Sequence, residues 1–268
     1  MTDVIKQYVV SHKNVSDSRL KDRTILFVNE NIAKTKTANT LLTWEGDNID
    51  DKNQYYCELT ALYWIYKNIK DNEIVSFEHY RRIFLSSHPG LFSYNFLQKE
   101  EIQRIFEKKQ IILPLKHHFN QTLKEQYGES HGLTDLTTME NVIAALYPDY
   151  KEIYNETING HDATCFNMFV MKKETLDAYC AFAFHILDEA FRLQKHSITE
   201  RDTYQQRSIG FLAERLFNVW LNKNMPEQNR FYCSVAYLEK KQGPLERSLK
   251  NKIHKLLGDD YDGRQSRL

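Results

Sequence analysis

Apolar positions at Ile5, Tyr8, Val9 and Val10 predict a first strand that runs directly into Ser11-His12-Lys13. A second apolar run, "RTILFVNENIA" (23–33), predicts a second strand, and "WEGDNIDDKNQYY" (44–56) a polar turn around Gly46. Apolar residues at helical spacing in "QYYCELTALYWIYKNI" (54–69) predict a helix that Asp50 or Asp51 can cap. The stretch "IVSFEHYRRIFL" (74–85) then reads as strand at both ends, with Glu78, His79, Tyr80, Arg81 and Arg82 between. A charged amphipathic helix (95–110) and the short strand "IILPL" (111–115) follow. Residues 116–136 lack apolar periodicity and read as a long, mobile, polar loop with room for helical turns. The remainder reads as a helical stretch (137–159) broken near Pro148, a strand (165–172), a long helix (173–195) and a helix entered through Gly210 (209–224).

This order of elements predicts an α/β fold with a mostly parallel central sheet flanked by helices, plus C-terminal helices. Residues 1–240 form the main domain on this reading. Residues 241–268 form a separate tail, in which Leu245, Leu249, Ile253, Leu256 and Leu257 share a helical face bordered by Arg247, Lys250, Lys252 and Lys255. A basic amphipathic helix of this kind, over 244–257, suits contact with an anionic membrane surface as well as packing on its own domain.

Composition narrows the function classes. Lys+Arg and Asp+Glu are both 36, so the overall charge gives no reason to expect a nucleic-acid partner. Cys57, Cys165, Cys180 and Cys233 are far apart and form no CxxC pair, which suits reduced thiols in the cytoplasm. No run approaches the ~18 apolar residues of a membrane span.

In open α/β sheets, ligands bind beyond the carboxyl ends of the strands. His12-Lys13 and His79-Tyr80-Arg81-Arg82 occupy two such ends. Arginine forks and lysine point charges there suit a phosphorylated ligand, although internal ion pairs are the simpler explanation for an isolated Arg-Arg. Asp47, Asp50 and Asp51 are able to hold a divalent cation or to cap the next helix, and no glycine-rich phosphate loop occurs. Glu58 and Glu214 each lie inside an apolar helical stretch, where a carboxylate is costly unless paired or functional.

At these segments the chain resembles a bacterial family of capsule and exopolysaccharide biosynthesis glycosyltransferases, long catalogued as a domain of unknown function and including galactofuranosyltransferases. The resemblance rests on "SHK" (11–13), "GDNI" (46–49), "KNQYYCELTALYWIYKN" (52–68) and "HYRRIF" (79–84). It continues with "QYGESH" (126–131), "FNMFVMKKETLDAYC" (166–180) and "RSIGFLAERLFNVWL" (207–221). Two departures stand out: Glu78 replaces an apolar or small residue, and "AFAFHIL" (181–187) lacks a tryptophan.

The resemblance implies a GT-A-like fold and hexosyl transfer from a UDP-sugar to a growing capsule, O-antigen or exopolysaccharide glycan, with inversion. It implies His12, Lys13, Asp47, Asn48, Lys52, Asn53 and Tyr56 at the nucleotide, with His79, Tyr80, Arg81 and Arg82 standing where GT-A enzymes usually carry a metal-binding DxD. Arginines there neutralise the departing diphosphate, so no metal cofactor is required on this reading, Mg²⁺ or Mn²⁺ remaining the rival. Tyr127 and His131 belong to a closing loop, and Asn167 and Met168 to an acceptor pocket. Glu214 or His131 is the general base. The implied partners are the UDP-sugar and a lipid-linked or oligosaccharide acceptor, at the inner face of the cell membrane. A non-catalytic nucleotide- or glycan-binding module and a sugar-phosphate transferase are the alternatives.

Overall fold

The computed structural model describes residues 4–15, 18–29, 39–70, 73–87 and 95–238. The tail at 244–257 and the end of the 23–33 segment lie outside the described residues. Its strands are β1 (Val4–Ser11), β2 (Thr24–Phe27), β3 (Thr40–Leu42), β4 (Glu73–His79), β5 (Arg82–Phe84), β6 (Ile111–Pro114), β7 (His117–His118), β8 (Asp162–Ala163), β9 (Phe169–Lys172), β10 (Arg230–Cys233) and β11 (Val235–Tyr237). The main sheet has the order β10-β6-β9-β4-β1-β2-β3, with β5 and β11 attached beside β4. Pairing is parallel from β4 through β1 and β2 to β3, and again between β10 and β6. Strand β9 runs antiparallel to both β4 and β6. The fold is therefore the expected α/β class, with a mostly parallel sheet and helices on its faces.

Helices α1 (Asn53–Tyr56), α2 (Leu59–Asn68), α3 (Lys99–Phe106), α4 (Leu123–His131), α5 (Thr134–Leu146), α6 (Lys151–Ile158), α7 (Lys173–Thr199) and α8 (Ser208–Asn224) complete the order. The largest core lies between one sheet face, through Tyr8, Phe77 and Phe169, and the inner faces of α2, α7 and α8. Smaller clusters fill the opposite face, where Ile74, Met168 and Val170 pack. Burial on both faces explains why β4 reads as an apolar run rather than an alternating one.

Three local outcomes differ from the sequence reading. The helix over 54–69 is two helices, interrupted at Cys57, whose φ of 52° is left-handed. The Asn53 side chain caps this break by donating to the Cys57 carbonyl (3.0 Å) and to Thr60 Oγ1 (2.9 Å). The strand over 74–85 is a hairpin: His79 pairs with Arg82 across a turn formed by Tyr80 and Arg81. The polar segment at 116–136 is an ordered β7–α4 unit. Thr122 and Glu125 form a capping box at its helix start, each satisfying the other's backbone N–H.

Candidate functional site

The chain passes from β1 outward to β2 and β3, then returns to place β4 on the other side of β1. That reversal is a topological switch point, where a crevice opens beyond the carboxyl ends of the two central strands. Register pairs Val10 with His79, and Tyr80 N–H donates to the Val10 carbonyl (2.9 Å). His12-Lys13 and the 79–82 hairpin therefore sit together. The Tyr80 ring has His12 edge-on at 5.0 Å, the Lys13 ammonium at 4.7 Å and the Arg81 guanidinium at 5.9 Å.

Beside the hairpin lies a cavity of about 150 Å³. Its walls come from four places: the α1–α2 break (Cys57, Glu58), the hairpin (His79, Arg81, Arg82), the β8–β9 connection with α4, and the start of α8. Four guanidiniums, of Arg81, Arg82, Arg207 and Arg215, face two carboxylates, of Glu58 and Glu214. This balance favours an anionic ligand. The Arg82 guanidinium lies 4.4 Å over the Phe166 ring, and its buried Nε has no hydrogen-bond partner among the described residues.

Both carboxylates are held by one unusual turn. Phe166 (φ 81°) and Asn167 (φ 47°) are consecutive left-handed residues, a conformation that costs non-glycine residues about 1–3 kcal/mol each. Phe166 N–H donates to Glu214 Oε1 (3.1 Å), and Asn167 Nδ2 donates to Glu58 Oε1 (2.8 Å). Burial raises the Glu214 carboxyl above the usual range, and Glu58 adds to the shift, while Arg215 (3.3 Å away) and Arg82 oppose it.

Burial lowers His79 from its usual 6.5 to about 4, with Arg82 and Arg81 reinforcing the shift and Glu58 opposing it. Burial also takes His131 from 6.5 to about 4, against the hydrogen bond between its Nδ1 and Gln205 (3.0 Å). Both rings are neutral near pH 7. An unfolded chain binds protons at these positions below about pH 6.5 and the folded one only near pH 4, so stability is present above this window and falls as pH drops through it. Melting temperatures measured from pH 7 to pH 4.5 are expected to fall, and the fall should shrink in His79→Gln. A pH-independent melting temperature would show that neither ring is held neutral.

The structure thus gathers His79, Arg81, Arg82, His131 and Glu214 at one cavity, with His12, Lys13 and Tyr80 beside it. The GDNI segment and the helix after it do not line that cavity. Lys52 and Tyr56 both meet Asp188, at 3.0 and 2.6 Å, and Asn53 is a helix cap. Asp47 accepts from Tyr63 OH (3.3 Å), and Asn48 donates to the Trp44 and Gly46 carbonyls. Asp50 accepts from Asn29 N–H and Thr43 Oγ1, both at 3.1 Å. Asp47 and Asp50 are thus bonded to different partners. Among the described residues, no three His, Cys, Asp or Glu side chains converge as metal ligands.

Two sequence assignments need correction. Tyr127 is fully buried on the inner face of α4, below Arg215 and 3.4 Å from Asp135, so it supports the cavity wall and does not close over a ligand. Met168 is fully buried in the cluster on the far face of the sheet and does not line that cavity. The sequence reading missed Arg207, whose Nε donates to Cys57 Sγ (3.1 Å). It also missed the wall formed by Phe211, with His131 stacked at 4.1 Å and Tyr204 at 5.2 Å. Nothing in the local pattern around Arg207 separates it from a surface arginine.

The family model described as "Domain of unknown function (DUF4422)" matches residues 6–225. No curated protein matches the chain significantly. A solved structure titled as the apo form of the WbbM bifunctional glycosyltransferase is similar, with a TM-score of 0.75 and 26% sequence identity over 90% of this chain. The chain spans 46% of that protein's length.

Proposed function

The chain belongs to the DUF4422 family, and on that footing we propose that it is a glycosyltransferase using a UDP-sugar donor. The observation that carries the reading is the cavity beside the switch point, where four arginines and two carboxylates meet. The likeness to a bifunctional glycosyltransferase supports the same class. The transferred unit is read as a hexosyl residue such as galactofuranose, and the acceptor as a growing capsule, O-antigen or exopolysaccharide glycan. The GT-A-like order of β1, β4 and the connecting helices is consistent with this assignment.

In the mechanism we favour, Lys13 and Tyr80 contact the nucleotide, and Arg81 and Arg82 hold the diphosphate. Fixed guanidiniums stabilise the charge that develops on the leaving group as the glycosidic bond breaks. Glu214 removes the acceptor proton, and the acceptor oxygen attacks the anomeric carbon from the opposite side, inverting it. Glu214 suits this role better than His131: the raised carboxyl lies closer to working pH, whereas an imidazole lowered to about 4 is a weak base. No helix among the described residues is long and apolar enough to cross a membrane, so a lipid-linked acceptor would be met at the surface. The basic tail at 244–257 is our candidate for that contact. UDP release from donor plus extracted glycan tests the activity, and donor binding without release would indicate a binding module instead.

Arg82→Ala is expected to weaken UDP binding by about 1.5–3 kcal/mol, the scale of a hydrogen bond to a charged group. Titration calorimetry with UDP decides this, and unchanged affinity would remove the clamp. Turnover is also expected to persist in excess EDTA. The arginines occupy the position of a metal-binding motif, and Asp47 and Asp50 are engaged elsewhere. Activity lost to the chelator and restored by Mn²⁺ would overturn this expectation.

A further inference from the structure

At and behind the cavity wall lie polar atoms that the diphosphate clamp does not use. Asn167 is 3% exposed and His79 8% exposed, and the Oδ1 of the first and the Nε2 of the second have no hydrogen-bond partner. Asn167 Nδ2 holds Glu58 Oε1 at 2.8 Å and also reaches the Gly210 carbonyl at 3.3 Å, which fixes its amide orientation. Glu58 is half-buried and lines the cavity beside His79. A buried atom such as His79 Nε2 is costly until a ligand or solvent satisfies it.

The chemistry of these atoms selects a ligand. Of the groups that line the cavity, the Glu58 carboxylate only accepts hydrogen bonds, and the unpartnered Nε2 of neutral His79 offers a lone pair, its N–H being taken by the Asn167 backbone. A group rich in hydroxyls supplies the missing donors. A carboxylate supplies none, and at this end it would approach Glu58 and Glu214 together, while Arg215 is already paired with Glu214. We infer that Glu58, held in place by Asn167, is a specificity-determining residue that binds hydroxyls of an uncharged glycosyl unit and rejects a carboxylated one. The inference rests on the nucleotide-sugar reading and adds to it the class of sugar and the residue that selects it.

Calorimetry on the full chain with UDP, UDP-hexoses and the matching UDP-hexuronic acids, in the gluco and galacto series, tests it. Each pair differs only in CH₂OH against COO⁻ at C6. In at least one series the hexose form should bind about 10-fold or more tightly than its uronate, as a site with buried acceptors requires. Glu58→Gln should bring the pair within about 3-fold, since a single charge-assisted contact is worth roughly that difference. Asn167→Gly keeps the left-handed turn, removes the side chain and should give an intermediate ratio. Equal wild-type affinities in both series, or an unchanged ratio in Glu58→Gln, would overturn the inference while leaving the nucleotide site intact. Failure of UDP itself to bind would bring down the nucleotide reading and this inference with it.

Discussion

Glu214→Gln is expected to lower turnover by about 10²–10⁴-fold, the range a general base supplies, with UDP affinity and melting temperature close to wild type. The amide keeps an oxygen for the Phe166 N–H, so the left-handed turn is retained while the basic group is lost. The raised carboxyl adds a second signature. A base must be ionised, so the acidic limb of the pH–rate profile should lie above the ordinary carboxylate range. A variant that melts earlier but turns over normally per folded molecule would make Glu214 a structural partner of Arg215, at 3.3 Å.

Arg23→Met should cost about 3–5 kcal/mol of stability, the usual penalty for breaking a buried ion pair from one side. Arg23 Nε lies 2.8 Å from Glu78 Oε2, with the two side chains 1% and 0% exposed. Arg23 also donates to the Leu97 carbonyl (2.9 Å), and Glu78 Oε1 accepts from Phe84 N–H (2.9 Å). Glu78 thus ties the hairpin that carries Arg81 and Arg82 to the strand behind it. Denaturant unfolding of Arg23→Met, Glu78→Leu and the double variant separates charge from packing. The double variant should recover most of the loss, because no uncompensated charge remains. An unchanged midpoint in Arg23→Met would show that the pair does not anchor the hairpin.

That pair also shows where sequence reasoning stops. Glu78 stood out as replacing an apolar or small residue beside the arginines, and alternation along β4 turns it away from His79 to the opposite face. Its partner lies 55 residues earlier, a separation no local pattern reports. The gathering of cations at the ends of β1 and β4 was legible because strand ends and basic side chains are local features. The Cys57 break was not, because a non-glycine residue at φ 52° is imposed by tertiary packing against α8. Helix α4 carried a readable signal in Thr122-Leu123-Lys124-Glu125, but the absence of an apolar stripe in the following residues outweighed it. Tyr127 was misplaced for the same reason: treated as part of a loop, it could not be assigned to a buried face.

The antiparallel course of β9 has a consequence for how the chain is made. β4 is buried along its whole length, and β9 covers one of its edges with Phe169–Lys172. During synthesis that edge stays unpaired for roughly ninety residues, some 5–20 seconds at ordinary translation rates. An apolar strand with an open edge is a template for unwanted pairing. Expression yield should therefore depend on elongation rate and chaperone supply between residues 79 and 169 more than on the final stability of the fold. Slowed translation over that interval is expected to increase inclusion bodies, and co-expressed chaperones to reduce them.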